Sequence, residues 1–516
     1  MLPEFRNEPL TDFSKEENRK KMLEALAYVE KELGKEYPLV INGERMKADA
    51  TFKSINPSDK DQVVGIFQKA SEKEAEVAIQ AATEAFEEWR FYPPEERAMI
   101  LIRAASIMKK RKLEMAAYQV FEVGKNWVEA DADVAEAIDY LEFYAREMIR
   151  YAQPQPLTPI ETEHNEYFYI PLGPVVVIPP WNFPLAILLG MTTAALVTGN
   201  TVVLKPASDS PLVGYKFVEV MEEAGLPKGV LNFLTGPGSI AGDYLVKHPK
   251  TRMIAFTGSK EVGLRINELA AKTQPGQIWI KRVIAEMGGK DAIIVDDEYP
   301  NLEDAVRASI ASAFGFQGQK CSALSRLILV DKIYDKFVEM LKEEAEKIEI
   351  GPAKDNYFMG PVINAAAEQK ILSYIEIGKN EGKLLTGGEK APGNGFYIKP
   401  TIFIDVDPNA RIAQEEIFGP VLTVIRAKDF DHAIEIANNT IYGLTGSVFT
   451  LNRKKIEKAK RLFHVGNLYI NRKCTGALVD VHPFGGFNMS GTDSKAGGRD
   501  YLLLFMQAKS VSEKHR

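Results

Sequence analysis

Two cysteines occur in the chain, and one of them, Cys321, sits in FGFQGQKCSALSR (314–326). Gly315, Gly318, Ser322 and Ala323 leave space around it, and Lys320 precedes it. The thiolate is the reactive form of cysteine, and nearby positive charge or free amides favour it. A free cysteine also serves as a small core hydrophobe. The stretch alone leaves both roles open. Cys474, in NRKCTGALV, is the rival nucleophile. Thiol attack on a carbonyl needs a donor for the oxyanion and a base to complete the reaction. In VIPPWNFP (177–184), Pro179, Pro180 and Pro184 stiffen the backbone around Asn182, a neutral amide donor suited to a developing oxyanion. A Pro-rich turn with Asn182 as its local cap fits the same residues. In IAEMGGK (284–290), Glu286 ends an apolar run, where burial raises a carboxyl pKa and suits it to act as a base. By itself that motif is a strand-to-turn junction.

A nucleotide site is legible in part. There is no Walker loop and no GxGxxG, and Gly236, Gly238 and Gly242 of TGPGSIAG are spaced one residue too far apart. AFTGSKEVG (255–263) is more informative. It follows an apolar run and opens a helix with Ser259 as N-cap, leaving the first helical amides free for a phosphate. TVVLKPAS puts Lys205 at the end of another apolar run, within reach of a ribose or phosphate. A solvated surface lysine is the plainer reading.

These residues need strands that end in one place. PVVVI (174–178), TVVLK (201–205), VLNFL (230–234) and RMIAF (252–256) are short continuous apolar runs, as in strands buried on both faces of a parallel sheet. The intervals accommodate crossover helices, which gives a doubly wound α/β domain with its ligand at the carboxyl ends of the strands. A second alternation begins at DAIIV (291–295) and continues through SRLILV, PVLTVIRA and LTGSVFT. The first 155 residues read mainly as helix. Ser14 and Glu17 suggest a capping box, with Leu23, Leu26, Val29 and Leu33 forming one face. A strand pair is expected near YPLVINGERM and a helix over 72–89, stopped by Pro93 and Pro94. NEYFYIPLGP reads as an edge strand or as an arm toward another subunit.

Composition bounds the role. A chain of 516 residues exceeds what one core supports, so two or three substructures are expected. Apolar residues make up 45% and charged residues 26%, as in ordinary globular proteins. A net charge of −7 argues against nucleic acid or anionic membrane as partner. No run of about 18 uncharged apolar residues predicts a membrane span. The N-terminus is polar from the start, and with so few cysteines the expected location is the cytoplasm. The six histidines show no zinc-ligand spacing, so no metal is expected.

Taken together, PWNFP, GNTVVLKP, FTGSKEVG, EMGGK, GQKCS, EEIFGPV and PFGGFNMSG resemble, in order, the signature series of the aldehyde dehydrogenase superfamily. The resemblance runs from about residue 40 to the C-terminus. It implies a Rossmann-type NAD(P) domain over 1–286, interrupted at about 153–173 by a small β oligomerisation arm. A second α/β catalytic domain over 287–480 comes next, and 481–516 return to the cofactor domain and end in an oligomerisation strand. It further implies Cys321 as nucleophile, Asn182 and the Cys321 amide as oxyanion donors, and Glu286 as the base that hydrolyses a thioester. Pro180, Trp181, Lys205, Ser208, Gly258, Ser259, Glu416 and Phe418 match cofactor contacts. Ser208 stands where many NAD-preferring members carry Glu, which implies NAD with tolerance of NADP.

EVGKNWVEADADVAEAIDYLEFYA, IEIGKNEGKLLTGG, GFQGQKCSALSRLIL and HVGNLYINRKCTGALV are similar to the Δ1-pyrroline-5-carboxylate dehydrogenase branch. That branch oxidises L-glutamate γ-semialdehyde to L-glutamate in proline and arginine catabolism. The resemblance implies that Ser322, Gly476 and Ala477 hold the substrate carboxylate, while Phe183 and Phe484 pack on its aliphatic part. It also implies a homo-oligomer of at least two chains. Proline dehydrogenase activity falls to a separate protein, with transient contact as an expectation. The rivals are another small semialdehyde as substrate, a CoA-acylating enzyme, and a catalytically silent scaffold.

Overall fold

The computed structural model describes residues 2–515. The continuous apolar runs do become parallel strands. Val175, Val177, Val202 and Leu204 point into one core, while Val176, Val203, Ile254 and Phe256 point into another on the opposite face. A strand with apolar side chains on both faces is stable only between two helical layers. Each such side chain contributes roughly 1.5–3 kcal/mol on burial.

The first sheet has seven strands in the order Arg282–Glu286, Met253–Thr257, Pro174–Ile178, Thr201–Leu204, Leu231–Phe233, Leu39–Ile41 and Glu44–Met46. The first five are parallel, and the last two form an antiparallel hairpin through Asn42 and Gly43, both at positive φ. The second sheet also has seven strands: Lys383–Thr386, Thr401–Ile404, Val421–Ala427, Leu324–Val330, Asp291–Val295, Thr445–Phe449 and Asn467–Ile470. Only its edge strand Lys383–Thr386 is antiparallel. A two-stranded ribbon pairs Glu163–Pro171 with Met506–Lys514, and a three-stranded sheet includes Thr51–Ile55 and Val63–Gln68.

The sheets meet at unlike ends. The first presents the carboxyl ends of its parallel strands, with Glu286 the last residue of one and Asn182, Lys205 and Ser259 just beyond others. The second presents amino ends: Cys321 precedes Leu324–Val330, and Glu416 and Phe418 precede Val421–Ala427.

A 25-residue helix, Trp127–Tyr151, is the spine against which the first sheet's connections are set. Asp133, buried in it, accepts from Lys125 Nζ at 2.6 Å and from Ala186 N at 2.7 Å. The second bond seizes a free amide at the start of helix Ala186–Val197 and so fixes the turn that carries Asn182. Glu122 does the same for helix Pro211–Glu223, accepting from Leu212 N and Val213 N. Arg326, 2% exposed, donates to Lys290 O, Ile436 O and Ala437 O, tying the EMGGK segment to the end of helix Phe430–Asn438.

Two local expectations are corrected, and the helix expected over 72–89 is found with those bounds. Ser14 forms no capping box, because its hydroxyl and amide both bind Asp12 Oδ1 and helix Glu16–Glu32 starts without a side-chain cap. Met22, Leu26 and Val29 form its buried face, whereas Leu23 is exposed. Helix Glu72–Trp89 ends before Pro93, and Pro94 opens the next helix, Pro94–Lys110, where a missing N–H costs nothing.

Candidate active site

Cys321 is partly exposed and sits after a left-handed turn. Phe316, Gln317 and Gly318 all have positive φ. Gln317 offsets part of that strain by donating to Gly124 O at 3.2 Å and Pro361 O at 2.8 Å. Gly318 is obligatory, since a Cβ there would lie 2.3 Å from Gly419 O. Asn182 Nδ2 donates to Gln319 O at 3.0 Å, which ties the first sheet's turn to the nucleophile loop. A primary amide has two N–H groups, so one remains for an oxyanion beside the Cys321 amide.

The charge around the thiol differs from what Lys320 suggested. Lys320 Nζ is paired with Glu129 at 2.7 Å. Burial pushes the Cys321 thiol up, and the carboxyl groups of Asp291, Glu416 and Glu286 push it further, while the Ser322 amide pulls the other way. The protein by itself therefore holds the sulfur as a thiol. Glu286 ends its strand between Thr257 and the returning tail, with an antiparallel bridge to Gly491. Burial raises it to about 8, against the opposing pull of Ser494 Oγ, which donates to Oε1, and of Gly486 N at 3.4 Å from Oε2. A carboxyl poised there is suited to proton transfer.

The cofactor candidates line the same crevice. Lys205 is buried, its ammonium is lowered to about 8 by burial, and among the described residues it donates only to Pro206 O, at 3.3 Å. A desolvated cation without a carboxylate partner fits a hydroxyl-rich or anionic ligand. Ser259 caps helix Lys260–Ala271 by accepting from Val262 N at 3.3 Å, and the Lys260 and Glu261 amides have no protein acceptor among the described residues. Gly258 N donates to Glu286 O at 3.0 Å. Glu416 accepts from Gly289 N at 3.1 Å, and it lies so close over Gly288 that a Cβ there would be 2.2 Å from it. Trp181, next to Pro180, meets the Phe418 ring edge-on at 5.7 Å. Ser208 is exposed. These groups fit a dinucleotide.

The substrate candidates converge on the other side of the nucleophile. Ser322 is 8% exposed, and its carbonyl accepts from Cys474 Sγ at 3.5 Å, which brings the Gly476–Ala477 turn against the nucleophile loop. Lys125 Nζ lies 4.2 Å from the Phe183 ring centroid. Phe484 is pinned by paired backbone bonds to Ala496. Asp296, Asp297 and Glu298 cluster elsewhere, around the Lys455 ammonium at 2.7, 3.6 and 3.0 Å, with Lys332 3.3 Å from Asp297.

The family model described as the aldehyde dehydrogenase family matches residues 45–511. The chain belongs to that family. A 1-pyrroline-5-carboxylate dehydrogenase of Geobacillus sp. (strain WCH70) is 60% identical, over 99% of this chain and 100% of its own. Among solved structures, a 1-pyrroline-5-carboxylate dehydrogenase from Thermus with bound NAD has a TM-score of 0.98 at 54% identity, covering 100% of both chains. Proline utilization A from Bdellovibrio bacteriovorus has a TM-score of 0.97 at 49% identity, covering 99% of this chain and 53% of that one. As an aldehyde dehydrogenase, the chain carries several site neighbours that spacing did not reveal: Ser494 on Glu286, Glu129 on Lys320, and Asp291 beside Cys321. Ser494 is 208 residues from its partner, and Glu129 is 191 from Lys320. Among the described residues no helix is long and apolar enough to cross a membrane.

Proposed function

We propose that this aldehyde dehydrogenase oxidises L-glutamate γ-semialdehyde to L-glutamate. The observation that carries the reading is the turn at Gly476 and Ala477, whose amides have no protein acceptor among the described residues, held against Ser322 beside the nucleophile. Unengaged amides beside a hydroxyl suit a carboxylate at the far end of a short aldehyde. The names of its relatives in Geobacillus and Thermus support the same substrate.

Cys321 sulfur adds to the aldehyde carbon, and the thiol proton leaves to solvent. Asn182 Nδ2 and the Cys321 amide stabilise the oxyanion of the resulting thiohemiacetal. NAD, when bound, accepts the hydride. Its contacts would be Pro180, Trp181, Lys205, Ser208, Gly258, Ser259, Glu416 and Phe418. The thioester left on Cys321 is attacked by water that Glu286 deprotonates; the C–S bond breaks and the acid leaves. Phe183 and Phe484 pack on the methylene groups. The first sheet serves the cofactor and the second supplies the nucleophile, with the division at about residue 286. The ribbon of Glu163–Pro171 and Met506–Lys514 has an open edge on each side and suits a homo-oligomer. A cytoplasmic location fits the two free cysteines. A proline dehydrogenase is the expected transient partner, since the proline-utilization chain extends well beyond the part matched here.

The test is NADH formation with glutamate semialdehyde, betaine aldehyde and succinic semialdehyde, each with and without CoA. Preference for glutamate semialdehyde and release of free acid without CoA are expected. Preference for another aldehyde, or a requirement for CoA, overturns the reading. NADP replaces NAD in part, because exposed Ser208 puts no carboxylate against a 2′-phosphate; absence of turnover with millimolar NADP refutes this.

A further inference from the structure

We infer that Arg472 is the positioning residue that makes the site specific for an aldehyde with a carboxylate at its far end. It does so by turning the Gly476 and Ala477 amides outward. The inference rests on the proposed substrate. Arg472 lies just beyond strand Asn467–Ile470, and its carbonyl accepts from Ser447 Oγ at 2.5 Å. Its guanidinium lies 4.3 Å from the Tyr469 ring centroid. From that seat Nη2 donates to Thr475 O at 2.8 Å and Gly476 O at 3.1 Å, and Nε donates to Lys473 O at 3.3 Å.

In a trans peptide the C=O and N–H of one plane point in opposite directions. Drawing the Thr475 carbonyl to the guanidinium turns the Gly476 N–H away from it. Drawing the Gly476 carbonyl turns the Ala477 N–H away as well. Two successive carbonyls share one side here because Gly476 takes φ +77°, a left-handed conformation that glycine adopts freely. Both amides thus face opposite to Arg472, and neither meets a protein acceptor among the described residues. Successive amides turned outward in this way form an anion-binding concavity. The guanidinium charge polarises both peptides and strengthens the amides as donors.

Arg472 does not act as a direct ionic partner of the substrate. Three of its five N–H donors are already held by the three carbonyls, and Nη1 lies 3.2 Å from His482 Nε2. That last contact also links the turn to the segment carrying Phe484, so one side chain holds the anion donors and the aromatic wall in register.

The experiment uses full-length Arg472→Gln and Arg472→Lys. Kinetics are measured with glutamate semialdehyde and with propanal, which has no carboxylate, together with L-glutamate as an inhibitor of propanal oxidation. In Arg472→Gln, kcat/KM for glutamate semialdehyde should fall about tenfold more than for propanal, mainly through KM, and glutamate inhibition should weaken by about the same factor. Arg472→Lys, which keeps the charge but not the fork, should lie between wild type and Gln. Equal losses on both aldehydes would make Arg472 a structural prop and overturn the inference. A Lys variant equal to wild type would do so too, since charge alone would then suffice. Wild type that oxidises propanal but neither uses the semialdehyde nor is inhibited by glutamate would refute the substrate reading, and this inference with it.

Discussion

The two cysteines lie on loops that touch, yet their surroundings differ in the feature that matters. Burial pushes both thiols up, Cys474 to about 12, and the Asp291 carboxyl adds to both. Cys474 is fully buried in the second sheet's core, while Cys321 is partly exposed. Glu416 and Glu286 push the Cys321 thiol up further. Thiol acidity therefore does not single out the nucleophile. Access does, and the neighbouring carboxyl serves the hydrolysis that follows. The Cys321 loop is built for reaction, with a strained left-handed approach and a glycine, Gly318, where any Cβ would collide. The Cys474 loop is built for holding, with its amides turned outward and its thiol turned in.

The largest expected difference is between the thiols themselves. Cys321→Ala should lower steady-state NADH formation on the order of 10⁴-fold or more, because no second nucleophile stands in its place. Retention of even a tenth of wild-type turnover would break the comparison. Next comes the carboxyl that serves the hydrolysis. Glu286→Gln should slow steady-state turnover by roughly 10²–10³-fold while leaving the first NADH per site, since only thioester hydrolysis needs the base. Loss of that initial burst would place Glu286 before hydride transfer instead.

The contrast between the loops was only half legible in the sequence. PVVVI and DAIIV declare strands because a run of β-branched residues has nowhere to sit but between two layers. GQKCS, flanked by small residues, declares a loop with room for a ligand. Which sheet end each loop occupies was not legible, since it depends on how the two sheets face each other. The Ser494–Glu286 bond was hidden for the same reason, joining residues 208 apart. Lys320 misled because a lysine beside a cysteine looks like an activating charge, and Glu129, brought by a different helix, cancels it. Ser14 misled because an aspartate two residues earlier competes for its hydroxyl and its amide.

A smaller effect tests the charge environment on the Cys321 side. Ser494 donates to the Glu286 carboxylate and so favours its ionised form. At about 8, Glu286 is mostly protonated at neutral pH, and the active base grows as pH rises through that value. Ser494→Ala removes a bond that lowers the pKa, so the rising limb of kcat against pH should move upward by about one unit. An unmoved limb would mean that Glu286 is not the group whose ionisation sets the rate.

The smallest effect belongs to Cys474→Ala. The substitution deletes one buried sulfur and a weak S–H bond to Ser322 O, with no strand or helix broken. Stability should fall on the order of 1 kcal/mol, as for a small core truncation. Turnover of a carboxylate-free aldehyde should stay within about threefold of wild type, because Cys321, Asn182 and Glu286 keep their own partners. KM for glutamate semialdehyde should rise slightly, because the released contact is the one that seats the anion-binding turn beside Ser322. A burst of NADH undiminished in Cys474→Ala but absent in Cys321→Ala separates holding from reacting. If both variants lose the burst, the two loops form one catalytic unit, and burial of a thiol is no guide to its idleness here.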